Sequence, residues 1–207
     1  PPEAMQDSNA FRKSRCYNEL VDATLRKHQT SLQAIYDVYA RANKDAQDEL
    51  QSSKTMSIGE WLSFVEHLGL LEDRQLSFWG AKIIFKWSLI RACPDHTAKS
   101  ERMMRQMNFQ DFCEALVRLS SLIALPTDAE LEAAEAEDAG EYLNALRETG
   151  GLLDFVEENK IGWDGQPRQH TSRCVHHLVA LLVRTVKQDV HGDEGETAAA
   201  GGGGAGG

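Results

Sequence analysis

The chain has 207 residues, a net charge of −10 and 42% hydrophobic residues. This length and hydrophobic content suffice for one well-packed core. No apolar run reaches the roughly 18 residues of a membrane helix, so we expect no membrane span. The first ten residues contain neither a basic segment nor an apolar run, which is unlike a signal peptide. Because the chain does not begin with Met, we expect it to be a segment of a longer protein.

The distribution of charge and cysteine bears on partner and compartment. Residues 11–125 contain 16 Lys and Arg against 14 Asp and Glu, a balance of +2, whereas residues 126–207 contain 6 against 16, a balance of −10. Such an acidic segment disfavours nucleic acid as a partner. The cysteines are far apart and form no Cys-x-x-Cys pair, which indicates reduced thiols and a cytoplasmic or cytoskeletal location. They are Cys16, Cys93, Cys113 and Cys174.

The first elements in chain order are two helices separated by a polar stretch. Apolar residues at three- and four-residue spacing predict a helix over residues 14–43. Ser57 and Glu60 then form the pattern of a capping box, in which each side chain bonds the other's backbone amide. Met56 and Trp61 occupy the positions of a hydrophobic staple around that box. This second helix is predicted to end near residue 68, with Gly69 as its left-handed stop.

The same order then repeats. Ser77 predicts the start of a third helix over residues 78–92, which is apolar on nearly all sides and is stopped by Pro94. After a polar loop, Asn108 and Asp111 predict a second capping box and a fourth helix. That helix is predicted to end at Pro126. We read no strand in the sequence, so the predicted fold class is all-α.

The remaining third is predicted to be an acidic helical extension. Residues 126–148 are expected to form a solvated helix that is interrupted at Gly140, and residues 151–159 a short amphipathic helix. A regular apolar face from Val175 to Val186 predicts a helix that packs on the preceding pair or on a partner. The predicted organisation is therefore a flexible segment (1–10), a helix–loop–helix pair (11–125), the extension (126–190) and a flexible Gly/Ala-rich tail (191–207).

The two capped helix starts resemble a known motif. "MSIGEW" and "MNFQDF" share a methionine, a cap, an acid three positions later and an aromatic residue. This resembles paired EF-hands, in which the second helix starts near loop position 9 and an acid at position 12 is the last calcium ligand. "MNFQDFCEALVRLSSLIALP" resembles the closing helix of EF-hand-like domains in ciliary and flagellar axonemal proteins. Residues 20–125 resemble, more loosely, the p25-alpha domain of tubulin polymerisation-promoting proteins.

The loops between the paired helices lack the ligands that calcium requires. Counted back from Glu60 at position 12, the first loop begins with Glu49 and has a lysine where the motif has its turn glycine. Counted back from Asp111, the second loop has Arg102 at position 3 and Arg105 at the glycine position. Since calcium needs several anionic oxygens, we expect no metal or other cofactor, and Glu49, Glu60 and Asp111 are only weak metal candidates. Glu60 and Asp111 are instead expected to complete helix caps.

No catalytic constellation is apparent. His170 and Cys174 have zinc-ligand spacing, but no second Cys/His pair follows, so we interpret this stretch as a helix start with surface histidines. The acids of residues 132–141 lie on a polar helical surface without the apolar pocket that raises a carboxyl pKa. The chain also lacks nucleophile-elbow, P-loop and dinucleotide-binding patterns. We therefore predict that it is not an enzyme.

Two features are candidates for partner binding. Lys99, Arg102 and Arg105 form a small basic patch that could dock on an acidic surface such as tubulin, or could be an ordinary solvated loop. The apolar third helix offers Trp79 or Trp87 as an interface anchor, unless both are simply core residues. The favoured hypothesis is a structural or adaptor protein of a ciliary or flagellar microtubule assembly. The alternatives are a calcium-responsive regulator and a regulatory domain of a larger enzyme chain.

Overall fold

A computed structural model describes residues 7–40, 55–89 and 105–199, the last of these from residue 187 by backbone alone. Within these residues the fold is all-α, as predicted, apart from one short antiparallel strand pair. In chain order the elements are α1 (Ser8–Phe11), a π-helical turn (Arg12–Cys16), α2 (Glu19–Lys27), α3 (Gln29–Tyr39), β1 (Met56–Ser57), α4 (Ile58–His67), α5 (Phe78–Ser88), β2 (Gln106–Met107), α6 (Phe109–Ser120), α7 (Asp128–Ala133), α8 (Ala139–Thr149), α9 (Leu152–Asn159) and α10 (Thr171–Ala199). No helix among the described residues is both long and apolar enough to cross a membrane.

The single first helix predicted over residues 14–43 is wrong. The π-helical turn ends at Cys16, and the side chain of Asn18 then caps α2 by accepting from the Leu20 amide at 2.9 Å. A second break at His28 separates α2 from α3. Asparagine favours caps because its side chain replaces a backbone acceptor, and here this local preference overrides the helical periodicity. Residues 41–43 lie outside the described part of the chain.

Both predicted capping boxes are confirmed. Ser57 Oγ accepts from the Glu60 amide at 3.3 Å, while a Glu60 carboxylate oxygen accepts from the Ser57 amide at 2.6 Å. Asn108 and Asp111 make the same reciprocal bonds at 2.8 and 2.9 Å. Each box satisfies backbone amides that a helix start would otherwise leave without an acceptor.

The strand pair joins the two boxes. Met56 lies opposite Met107 in β1 and β2, so residues at equivalent positions of the 51-residue repeat face each other. Such a register relates the two halves by a local two-fold axis. Two residues per strand are too few to produce a visible alternation, which is why the sequence pattern does not reveal the pair.

The ends of α4, α5 and α6 confirm some predictions and correct others. Gly69 takes the left-handed conformation after α4 (φ 71°), and Ser77 caps α5, both as predicted. The backbone is already extended at Leu89, so α5 stops at Ser88 and the predicted continuation to residue 92 is wrong. Pro94 lies outside the described residues. α6 ends at Ser120, six residues before Pro126.

One hydrophobic core runs from α2 to α10. It contains the fully buried Trp61, whose indole N–H donates to the Ala81 carbonyl at 2.9 Å, and ring contacts around Phe64 and Phe112 with centroids 5.4 Å apart. The α10 side chains of the predicted apolar face enter the same core, and α10 packs against α2, α6 and α8. Because these contacts span the whole described chain, α10 and the helix–loop–helix pair share one interior.

The acidic segment is interrupted before Gly140 rather than at it. α7 ends at Ala133, and Asp138 caps a new helix, α8, by accepting from the Glu141 amide at 3.0 Å. Gly140 is buried in the first turn of α8, where a Cβ atom would come within 2.7 Å of Arg184 Cδ. The glycine therefore allows close packing of α8 on α10. The short helix predicted over residues 151–159 is confirmed as α9.

Candidate functional site: the capped helix starts and an exposed aromatic pair

The acids at the two last-ligand positions act as capping groups. Glu60 is 3% exposed and Asp111 1% exposed, and each gives a carboxylate oxygen to the backbone amide of its own cap residue. Both therefore lie inside the protein at the start of a helix, where the helix dipole also favours negative charge. Glu49, the third weak metal candidate, lies outside the described residues, as do residues 50–54 of the first loop and 100–104 of the second.

The described part of the chain contains no group of three or more His, Cys, Asp or Glu side chains placed to hold a metal ion. The predicted His170–Cys174 pair illustrates this. His170 is exposed and shares its Nδ1 with Ser172 Oγ at 2.8 Å, whereas Cys174 is buried with its sulfur towards the Gln169 carbonyl. Burial raises the pKa of the Cys174 thiol to about 11, which disfavours the thiolate that metal binding requires.

The interpretation of this stretch as surface histidines is wrong for two residues. His177 is 2% exposed and lies 2.9 Å from Asp128, while His176 is half-buried and contacts His28, the residue between α2 and α3, at 3.2 Å. Burial lowers the pKa of His28, His176 and His177. His28 and His176 thus form part of the packing between the end of α2 and α10, and His177 lies against Asp128 of α7, which the sequence pattern around residue 170 alone does not show.

Trp79 is a half-exposed residue at the start of α5. It is 49% exposed, and its neighbour Phe78 is 53% exposed with the Lys82 ammonium 4.3 Å from its ring centre. The opposite side of α5 is buried through Ala81 and Ile84. A rigid helix therefore presents two adjacent aromatic rings and one cation outside the core, and we call Phe78, Trp79 and Lys82 the aromatic patch.

Trp87 lies elsewhere. Its ring makes an edge-to-face contact with Trp163 at 5.2 Å between centroids, and its carbonyl accepts a hydrogen bond from Arg12. It is half-buried at the end of α5, whereas Trp79 stands at the start of the same helix. The structure therefore separates the two predicted anchors.

The predicted basic patch is only partly described. Arg105 is exposed immediately before β2. Lys99 and Arg102 lie outside the described residues, so the arrangement of the three basic side chains is not described. The role of this patch remains a prediction.

Sequence reasoning missed a buried ionic cluster. Glu114 of α6 accepts from Arg118 at 2.7 Å and from Arg12 at 2.9 Å, and its side chain is 5% exposed. The i, i+4 spacing of Glu114 and Arg118 was a usable signal for that pair. The sequence contains no comparable signal for Arg12, which lies 102 positions before Glu114.

Comparison with protein-family models, with curated proteins and with solved structures finds no match for this chain.

Proposed function

We propose that the chain is a non-catalytic, calcium-independent protein-binding module of a microtubule-based assembly in a cilium or flagellum. The module would bind its partner through a surface whose geometry does not change with calcium. Two helix–loop–helix halves, joined through β1 and β2, hold the aromatic patch at the start of α5. The exposure of Trp79 beside Phe78 is the observation that carries the binding proposal, because large aromatic side chains at the surface are enriched in interface hot spots.

The capping geometry supports the calcium-independent part of the proposal. An EF-hand sensor opens when its last ligand swings onto the metal. Here Glu60 and Asp111 are buried and bonded to backbone amides, so recruiting either one to a metal would break one of the two hydrogen bonds of its capping box. The amide of the cap residue would then lose its acceptor, which opposes the change.

The choice of assembly rests on the resemblance of residues 107–126 to axonemal EF-hand-like domains and on the looser resemblance to a tubulin-binding family. Both the chain and tubulin are acidic overall, so general charge attraction does not favour their association. Specific contacts through the aromatic patch, or through the basic residues 99–105, would have to supply the affinity.

The test is co-sedimentation of the chain with stabilised microtubules, in calcium and in chelator. We expect equal pelleting in both conditions and reduced pelleting of Trp79→Ala. Leu153→Ala is the matched control, because Leu153 is also 49% exposed but lies on α9, outside the patch. Since Trp79 is half-exposed, its replacement should leave the melting temperature nearly unchanged.

The other outcomes discriminate among hypotheses. Pelleting that depends on calcium would contradict the calcium-independent proposal and favour the calcium-responsive regulator. Pelleting that Trp79→Ala leaves unchanged would move the contact to the basic residues 99–105. An absence of pelleting in both conditions would reject direct microtubule binding and leave an adaptor whose partner is another protein of the assembly.

A further inference from the structure

A pocket of about 380 Å³ opens between the N-terminal turns, the ends of α5 and α6, and residues 162–166. Small-molecule sites commonly measure about 300–1,000 Å³ and combine apolar walls with a few polar groups. The apolar lining here comes from Phe11, Trp87, Leu122 and Trp163. Three aromatic rings in one pocket of this size favour a planar apolar ligand.

A buried cation belongs to the lining of the same pocket. Arg118 is 1% exposed, and its guanidinium carbon lies 4.5 Å from the Phe11 ring centre and 5.8 Å from that of Trp87. Its Nε and Nη2 donate to Glu114 at 3.0 and 2.7 Å, and Nη2 also donates to the Ser8 carbonyl at 2.9 Å. Its other terminal nitrogen, Nη1, has no hydrogen-bond acceptor among the residues that the structure describes.

Among the described residues, Glu114 is the only acid that bonds Arg118. Arg12 bonds the same Glu114 carboxylate, so within this hydrogen-bonded group of described residues two guanidinium groups share one anion and a charge of +1 remains. The adjacent Cys16 does not supply a second anion, because burial raises the pKa of its thiol to about 12. Burying an excess charge is unfavourable, and an anion in the pocket would remove that cost.

The acids of the lining disfavour a highly charged anion. Asp7 and Asp164 also line the pocket and are exposed. One further cation, Arg15, lines the pocket as well, and its Nη2 donates to Gln166 Oε1 at 2.9 Å. The two acids would repel a strongly negative ligand. A phosphate monoester carries a charge of about −1.5 to −2 at neutral pH, more than the excess of one positive charge can balance. A carboxylate carries a single charge and matches the fork of a guanidinium.

We propose that this pocket binds a small planar carboxylate, with the carboxylate against Arg118 and the apolar body against Phe11, Trp87 and Trp163. This site is separate from the aromatic patch, since the patch lies at the other end of α5. Its test is therefore independent of the microtubule experiment. Either proposal can fail without the other.

The probe is naphthalene-2-carboxylate, titrated into the full chain by isothermal calorimetry. We expect saturable binding with one site, and binding of naphthalene-2-carboxamide that is weaker by about tenfold or more, because the amide loses a charge-assisted hydrogen bond. 2-Naphthyl phosphate should also bind more weakly than the carboxylate. Equal affinity for acid and amide, tighter binding of the phosphate ester, or no saturation at about millimolar acid would overturn the proposal.

Variants locate the site. Trp163→Ala should weaken binding of the acid, while Trp79→Ala, which removes an aromatic residue outside the pocket, should not. Unchanged affinity in Trp163→Ala would place the bound acid elsewhere and reject the pocket. Replacing Arg118 is the less useful variant, because its bonds to Ser8 and Glu114 also support the fold. The comparison of acid with amide on the unaltered chain tests whether a cation of the pocket binds the carboxylate.

Discussion

The hydroxyl of Ser57 and the carboxylate of Glu60 show how a single residue can secure an element. Each side chain replaces a backbone partner that the first turn of α4 lacks, and each lies within three residues of the group that it bonds. Interactions of this kind are encoded locally. The sequence therefore predicted the residues of both capping boxes correctly, and for Ser57 and Glu60 also the direction of each bond.

Replacing Ser57 with alanine should lower the free energy of unfolding by about 0.5–2 kcal/mol, because the Glu60 amide loses its acceptor. Chemical denaturation monitored by circular dichroism measures this change. Ser31→Ala is the control, since Ser31 is exposed on α3 and alanine has the higher helix propensity. A neutral effect of Ser57→Ala would contradict the capped register of α4.

The buried ionic cluster shows the opposite case at the same scale. Glu114 and Arg118 are neighbours on one helix face, but Arg12 reaches them only after the chain has folded over 102 positions. Periodicity reports which residues share a face of one element, not which distant residue meets that face. The pocket beside this cluster was unpredictable from the sequence for the same reason.

At the scale of elements, α2 and α10 meet through histidines. His28 and His176 lie 3.2 Å apart, with Lys27 of α2, and Arg173 and His177 of α10, close enough to influence them. Burial lowers the pKa of all three histidines. The contact between α2 and α10 is therefore most favourable when the rings are neutral.

The sign of the pH dependence follows from these lowered pKa values. As the pH falls, histidines in the unfolded chain take up protons first, near a pH of about 6.5. The stability contributed by the neutral rings is complete above that pH and is lost as the pH falls through it towards the lower pKa of the folded chain. The neighbouring Asp128, whose pKa is lowered first by its hydrogen bond from Arg173, acts in a separate window below about pH 4.

His176→Gln should therefore lose less stability than the unaltered chain between about pH 7.5 and about pH 5.5. Urea denaturation at both pH values gives the two free energies of unfolding for each protein. His170→Gln serves as the control, because His170 is exposed just before α10 and its ring bonds Ser172 of α10. Equal losses in His176→Gln and in the unaltered chain would show that this ring does not set the pH dependence.

At the scale of the whole molecule, one hydrophobic core includes residues from both sides of residue 125, where the composition becomes acidic. Val175, Leu178 and Leu182 of α10 are fully buried in the same core as Val21 and Leu32. The acidic composition of this third describes its surface, whereas its apolar face completes the packing of the first helices. The sequence predicted that α10 would have a packing face. Which helices this face contacts, namely α2, α6 and α8, became known only from the folded structure.

A chain cut after residue 125 should lose cooperative unfolding, because the cut exposes the core side chains of α2 and α6 that α10 covers. Denaturation curves and the dispersion of amide NMR signals measure this loss. A chain that ends at residue 199 is the control, since it keeps every described residue. A stable, cooperative 1–125 fragment would contradict a shared interior.

In the intact chain, Leu178→Ala should lower the free energy of unfolding by about 2–5 kcal/mol, because Leu178 is fully buried in the shared core.

The packing of α2 on α10 also has a consequence for how the protein is made. His28 and His176 are separated by 148 positions, so the ribosome must add most of the chain after α2 before its partner helix exists. At about 5–20 residues per second this interval is about 7–30 s. During synthesis the apolar side of α2 is therefore not yet covered by α10, and chaperones can bind the nascent protein in that interval.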